Sequence, residues 1–215
     1  MWAQIEFKQF LMENLRCKIF LICVLVFVCI SKVKGNDIYF KIGNNHSALP
    51  FARFSKLAYK NFHFSYELGK SFTLKQNEKG LWFQTANVGY FKHKFVQSGI
   101  LLYSENGYQR NITEAFGINT KLGLGYMHAF TATAIVKQNS QGDYEVKADY
   151  GKPQAIFAFS LGVSRSLIKR VSNAPKITLD YQIRMQTPFV KSYVPLLPYN
   201  VLKIGLSFPL HDKKS

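Results

Sequence analysis

Lys176-Ile-Thr-Leu-Asp-Tyr-Gln-Ile-Arg-Met-Gln186 alternates without a break. Successive side chains of an extended strand point to opposite faces. Ile177, Leu179, Tyr181, Ile183 and Met185 therefore share one side of this strand, and Thr178, Asp180, Gln182, Arg184 and Gln186 share the other. One side is wholly apolar and the other strongly polar, which predicts a strand between two unlike environments. Phe116–Phe130 repeats the pattern: Phe116, Ile118, Leu122, Leu124, Tyr126 and Phe130 lie opposite Gly117, Asn119, Lys121, Gly123 and Gly125. Fifteen residues at the rise of a strand reach about 50 Å, more than a globular sheet usually needs.

The same period recurs along the chain. Ala155–Leu167 sets Phe157, Phe159, Leu161 and Val163 against Ala158, Ser160, Gly162 and Ser164, and Val201–Leu210 sets Leu202, Ile204, Leu206 and Phe208 against Lys203, Gly205 and Ser207. Phe62–Leu68 alternates Phe62, Phe64, Tyr66 and Leu68 with His63, Ser65 and Glu67, and Ile38, Phe40 and Ile42 make a short first strand. Leu81–Lys92 and Val96–Tyr108 are strand-like, but the run Ile100-Leu101-Leu102 leaves the second without an assignable inner face. Eight strands result. With the N-terminus in the periplasm, the connections at 43–61, 92–96, 131–153 and 187–201 lie outside. Those at 75–79, 109–115 and 168–175 lie inside and are all short, and three of the four outer ones are long, the asymmetry of transmembrane barrels. An even strand number closes the sheet without a free edge. The fold class expected is all-β: an antiparallel up-and-down transmembrane barrel of about eight strands, ten being possible.

Residues 1–35 differ in character. Arg16 and Lys18 precede the apolar run Ile19–Ile30, and Val33 and Gly35 stand where signal peptidase reads small residues. A twelve-residue run is short for a membrane span, so residues 1–35 are expected to be a secretory signal and 36–215 the barrel domain. Cys17, Cys23 and Cys29 all lie in that signal, so the mature chain is expected to hold no thiol, disulfide or zinc-thiolate site.

Of 215 residues, 47% are hydrophobic, 19% charged and 15% aromatic, a composition for a packed, strand-rich domain. Mean hydropathy is −0.06, as expected where polar and apolar faces average out. The net charge is +16. The first 35 residues hold five of the cations (Lys8, Arg16, Lys18, Lys32, Lys34) and two of the carboxylates (Glu6, Glu13), leaving +13. Export removes nucleic acid from reach, and no basic helix or finger spacing is present. The expected partners are outer-membrane lipids or lipopolysaccharide, with no nucleic acid and no cofactor. A secreted lipocalin-like lipid-binding barrel is the soluble alternative. It would turn the apolar face inward and place Asp180, Arg184 and Lys203 in water.

Asn87-Val-Gly-Tyr-Phe-Lys-His93, Leu122-Gly-Leu-Gly-Tyr-Met-His128 and Leu202-Lys-Ile-Gly-Leu-Ser-Phe208 end strands on Gly-aromatic pairs. From Leu81 onward the chain thereby resembles the small outer-membrane β-barrel proteins of Bacteroidota-type bacteria. The resemblance implies an outer-membrane location. One departure is that Phe208 is followed by Pro-Leu-His-Asp-Lys-Lys-Ser215 rather than ending the chain.

His63-x-Ser65-x-Glu67 is the one catalytic-looking row, and outer-membrane lipid A deacylases are small barrels that use Ser, His and Glu. Same-face neighbours stand nearly 7 Å apart at their backbones, no oxyanion hole is evident, and the deacylase motif lies late in its chain. These three are therefore expected to be polar lining groups, and no catalytic or metal site is assigned. His93 and His128 each end a strand but lack an acidic partner at metal-binding spacing. Asp180, Gln182, Arg184 and Lys203 are expected to form a polar network inside the barrel. Tyr90, Tyr103, Tyr126, Tyr150, Tyr181, Tyr193, Tyr199 and Trp82 are expected at the membrane interfaces. The reading that results is a non-enzymatic barrel with a structural, surface-binding or lipid-contacting role.

Overall fold

A computed structural model describes residues 35–47, 62–77, 79–133, 135–139, 142–168, 174–189 and 195–210. Residues 1–34 of the expected signal (1–35), the centre of the first outer connection and Tyr193 fall outside the described residues, and Gly35 opens the first strand.

Ten strands form: β1 (Gly35–Ser47), β2 (Phe64–Asn77), β3 (Gly80–Lys92), β4 (Gln97–Asn111), β5 (Phe116–Thr131), β6 (Ile135–Gln138), β7 (Tyr144–Lys147), β8 (Lys152–Ser166), β9 (Lys176–Thr187) and β10 (Leu197–Pro209). Eight of them close into an antiparallel barrel in the order β1-β10-β9-β8-β5-β4-β3-β2, and β6 pairs with β7 in a separate hairpin. The β1–β10 ladder runs from Asp37↔Pro209 to Ser47↔Tyr199, so first and last strands seal the sheet. Closure matters because a strand edge facing acyl chains leaves every unpaired N–H and C=O without water.

Alternation decides the two surfaces. Ile38, Phe40, Phe64, Leu68, Val88, Leu102, Leu122, Leu124, Phe159, Leu179, Ile204 and Phe208 all stand exposed on the outer wall, while Lys41, Glu67, Glu105, Lys121, Asp180, Arg184 and Lys203 are buried inside. A water-soluble barrel buries its apolar face, so the lipocalin arrangement is inverted here, and the wall is built for lipid. Val96–Tyr108 resolves as well: Ile100 and Leu102 point out and Leu101 points in.

β1 and β10 run longer than their alternation suggests, because Asn44, Asn45 and His46 continue the ladder opposite Leu202, Val201 and Asn200 with no apolar periodicity to announce it. β6 and β7 lie within the connection 131–153, where four-residue strands leave no periodic signature. Their turn runs through Gly142 at φ 94°, a left-handed conformation that costs glycine nothing.

Glycine also makes room inside. A Cβ on Gly69 would run into the Tyr39 ring, and one on Gly125 into Tyr103 and the Leu102 carbonyl. Small residues on the inner face thus allow large ones from adjacent strands to cross a narrow lumen.

Candidate functional site

Charged groups from distant strands converge in the lumen. Each arrives there because it sits at an inward position of its strand. Lys203 Nζ on β10 donates to Glu67 Oε2 on β2 at 2.6 Å, and Lys41 Nζ on β1 lies 3.5 Å from Glu67 Oε1. The Lys41 ammonium also meets Asp180 Oδ2 at 2.9 Å, and Lys121 Nζ on β5 reaches Asp180 Oδ1 at 2.8 Å. The Tyr103 hydroxyl donates to Glu67 and accepts from Lys203 Nζ at 3.1 Å. Gln182 Nε2 donates to Glu105 Oε1 at 3.0 Å and to Ser160 Oγ at 3.1 Å, and Arg184 Nη2 donates to Gln182 Oε1 at 2.7 Å. On the facing wall the Tyr39 hydroxyl donates to Asn87, whose amide donates to Thr85 Oγ1 at 3.0 Å. Burying a charge is costly unless it is paired and hydrogen-bonded. The pairs Lys203–Glu67, Lys41–Asp180 and Lys121–Asp180 make this layer a cross-brace between strands, while Arg184 is held by Gln182 and lies 5.9 Å from the Tyr103 ring.

Above the charged layer, toward the rim that carries the long connections (the loop rim), the lumen turns apolar. Phe91, Leu101, Met127, Ala129, Ile156, Leu197 and Val201 pack together with the rings of Tyr103 and Tyr199. Gln97 Nε2 spans the gap, donating to Gln186 Oε1 at 2.5 Å and to Tyr199 Oη at 2.9 Å. Tyr103 and Tyr199 are therefore lumen residues, 3% and 1% exposed, and not interfacial ones. Each sits at an inward position of its strand, which outweighs the preference of tyrosine for the interface. Trp82, Tyr90, Tyr126 and Tyr150 do stand exposed.

His63, Ser65 and Glu67 line the inner wall of β2 and its entrance, all buried, but they do not act on one another. The Glu67 carboxylate is taken by Lys203, Lys41 and Tyr103. The His63 ring instead stacks on His93 at 3.8 Å between centroids and meets His46 edge-on at 5.1 Å. No base–nucleophile–carboxylate relay exists in this row. His128 lies apart on the outer wall, where Nδ1 meets the Tyr126 hydroxyl at 2.7 Å and Nε2 the Tyr150 carbonyl at 2.8 Å. His93 and His128 are thus not brought together, and among the described residues no three His, Cys, Asp or Glu side chains converge on a metal position.

The stacked histidines have a chemical signature. His63 Nδ1 accepts the Lys94 N–H at 3.3 Å and His93 Nδ1 accepts the Phe95 N–H at 3.4 Å, so both neutral rings hold their proton on Nε2 and a second proton must land on Nδ1. Burial, with the neighbouring His46, lowers the His63 pKa; burial, with His63 and His46, lowers that of His93 to about 4. The unfolded chain takes up protons near pH 6.5 while the folded rim refuses them, so the stability this cluster lends is full above that pH and falls as pH drops toward 4. Amide protection factors at Lys94 and Phe95 are expected to hold at neutral pH and decline between about pH 6.5 and 4. In His93→Gln that decline should largely disappear; an unchanged profile would show that the rings do not hold the turn.

Sequence reasoning missed Tyr103 and Glu105 as network members because the facing of β4 was open, and it placed Lys121 on a polar face without a partner. The usable signal was the alternation Leu101, Tyr103, Glu105 against Ile100, Leu102, Ser104.

No protein-family model matches the chain, and no curated protein sequence matches it. Among solved structures, Neisserial surface protein A aligns with a TM-score of 0.57 at 11% identity, covering 83% of this chain and 99% of that one. The outer membrane enzyme PagL aligns at 0.47 with 10% identity over 81% and 99% of the two chains. The N-terminal β-barrel domain of Pseudomonas aeruginosa OprF aligns at 0.44 with 14% identity over 81% and 100%. At 11% identity the likeness to Neisserial surface protein A is one of fold. Together with the closed eight-stranded barrel and its apolar outer wall, it defines this chain as a small outer-membrane β-barrel protein, located in a bacterial outer membrane.

Proposed function

We propose that this chain is a non-enzymatic outer-membrane barrel that works through the surface of its loop rim. Residues 1–35 direct export and residues 36–215 form the mature barrel. The observation behind this reading is the β6–β7 hairpin. Val136↔Val146 and Gln138↔Tyr144 pair across it, so Val136, Gln138, Tyr144 and Val146 share one face, with Val136, Tyr144 and Val146 53%, 75% and 74% exposed. Its base is fastened: Asp149 Oδ2 accepts from the Thr131 N–H at 2.7 Å and from its hydroxyl at 2.6 Å, and Asp149 Oδ1 accepts the Gly151 N–H at 2.9 Å. A two-stranded hairpin is marginal alone, and an apolar face held out on a fixed base marks a contact surface. The lumen layer of Asp180, Gln182, Arg184 and Lys203 serves as scaffold. Outer-membrane lipids, lipopolysaccharide among them, are the partners the basic mature chain suits. The Gly-aromatic strand ends support a Bacteroidota-type source.

Cells bearing the full chain are to be compared with cells in which residues 133–149 are replaced by a short Gly-Ser turn. Retention is measured on immobilised heparin, collagen, laminin and bare polystyrene. The replacement is expected to keep a heat-modifiable barrel and to lose retention on at least one surface; equal retention on all of them defeats the proposal. In parallel, Ser65→Ala is expected to leave the lipid A mass spectrum unchanged, since Ser65 has no relay. A change in acyl number that tracks Ser65 would make this chain a lipid-modifying hydrolase instead.

A further inference from the structure

The outer wall is not uniform. Outward positions on β8, β9 and β10 are apolar through the belt: Phe157, Phe159 and Leu161, then Ile177, Leu179 and Ile183, then Leu202, Ile204, Leu206 and Phe208. On β2, β3 and β4 the belt is interrupted. Lys70 faces Ala86, Ala86 faces Ser104, and one pair nearer the short-turn rim Gln84 faces Asn106, so these five outward residues form one contiguous island. Thr120 on β5, opposite Tyr108 of β4, borders it at the turn-rim side.

Its height is fixed by its neighbours. The Val88–Leu102 pair lies directly toward the loop rim, and the Trp82–Tyr108 pair, with ring centroids 5.0 Å apart, lies directly toward the turn rim. Leu122 and Leu124, 66% and 63% exposed, border it on β5. A tryptophan–tyrosine pair of this kind marks the interface, so the island sits inside the hydrocarbon band just above it. Lys70 is the exception that depth allows: its ammonium lies 5.6 Å from the Phe72 ring, toward the turn rim, where a snorkelling lysine reaches headgroups.

Within the island Gln84 Nε2 donates to Ser104 Oγ at 3.1 Å. Asn106 is exposed, and no hydrogen bond to its amide is formed among the described residues. Amides facing acyl chains have no water to turn to, and burying such a group without a partner is costly. We propose that this island is the interface for a second copy of the chain, with Asn106, Gln84 and Ser104 of one barrel hydrogen-bonded to the same residues of the other about a two-fold axis. The chemistry favours a like partner. Every hydrogen-bonding group in the island centre both donates and accepts, so the patch complements itself, as an isologous contact requires. Ala86 and Ser104 are short enough for two walls to approach closely. The Lys70 ammoniums, drawn toward the headgroups, stay out of the centre.

The test uses the full-length chain in native outer membranes, with Cys17, Cys23 and Cys29 changed to Ala so that one introduced thiol is unique. Asn106→Cys oxidised with copper phenanthroline is expected to give a disulfide-linked species of twice the barrel mass, whereas Leu206→Cys on the opposite wall gives at least fivefold less. A species of any other mass, no cross-link at position 106, or equal cross-linking at both positions overturns the proposal. In an otherwise native chain, Gln84→Leu with Asn106→Leu should keep heat-modifiable mobility and lower the dimer fraction, read by native mass spectrometry from lipid nanodiscs, at least fivefold. An unchanged dimer fraction would sink the role of the amides.

Discussion

Leu124→Arg is expected to abolish stable assembly of the barrel, while Leu210→Arg leaves it folded. Leu124 stands at the middle of the outward row of β5, between Ile118 and Phe130, and is 63% exposed on the wall. Leu210 follows the last strand at the turn rim. A charged side chain on the lipid face costs about 2–4 kcal/mol at the bilayer midplane and about 0–1 kcal/mol near an interface. Folded domains have only about 5–15 kcal/mol in total, so the first substitution removes a large share of the margin and the second almost none. The amount of heat-modifiable protein in isolated outer membranes and the urea midpoint in lipid vesicles both read the difference. Equal tolerance of the two substitutions would mean that the exposed row does not meet acyl chains.

The contrast between Leu124 and the inward Lys121 of the same strand also shows what the sequence makes legible. Where an outward apolar residue alternates with a polar or tiny inward one, as in Phe116–Phe130 and Lys176–Gln186, strand, facing and surface all follow from period two. The rule fails where the lumen itself is apolar. Leu101 faces inward beside outward Ile100 and Leu102, and Phe91, Met127, Ile156 and Val201 do the same near the loop rim. A run of apolar residues there erases the alternation, and Tyr103 and Tyr199 read as interfacial because nothing local marks the depth at which they sit. The charged layer is opaque for another reason. Lys203 and Glu67 are 136 residues apart, and only closure of β1 on β10 brings their strands close enough for the two side chains to meet. The histidine stack is likewise assembled from three segments, so its members look like isolated strand-end residues. Asp180, Gln182, Arg184 and Lys203 stand on polar faces of their strands in the sequence; which residue each one holds does not follow from it.

Glu67→Gln is expected to destabilise the barrel by about 3–5 kcal/mol, the range for removing one partner of a buried ion pair. The Glu67 and Lys203 side chains are 4% and 3% exposed, and the carboxylate also faces Lys41 and accepts from Tyr103. Among the described residues the buried charges comprise four cations (Lys41, Lys121, Arg184, Lys203) and three carboxylates (Glu67, Glu105, Asp180), so neutralising Glu67 leaves four against two. A glutamine keeps the shape and one acceptor oxygen but supplies no charge, which makes the loss electrostatic rather than steric. Adding Lys203→Met removes the orphaned ammonium and is expected to restore at least half of the lost stability, because replacing both members of a buried pair by well-packed neutral groups is often close to neutral. The Asp37–Lys176 pair at the turn rim is the control: at 3.6 Å and 22–29% side-chain exposure it is largely screened, and Asp37→Asn should cost less than about 1 kcal/mol. Equilibrium urea unfolding in lipid vesicles orders the three variants. If Glu67→Gln and Asp37→Asn prove alike, the carboxylate is not what braces the lumen. If the double variant is no more stable than Glu67→Gln alone, the loss comes from Tyr103 and Lys41 losing a charged acceptor, and the brace centres on those contacts instead of on Lys203.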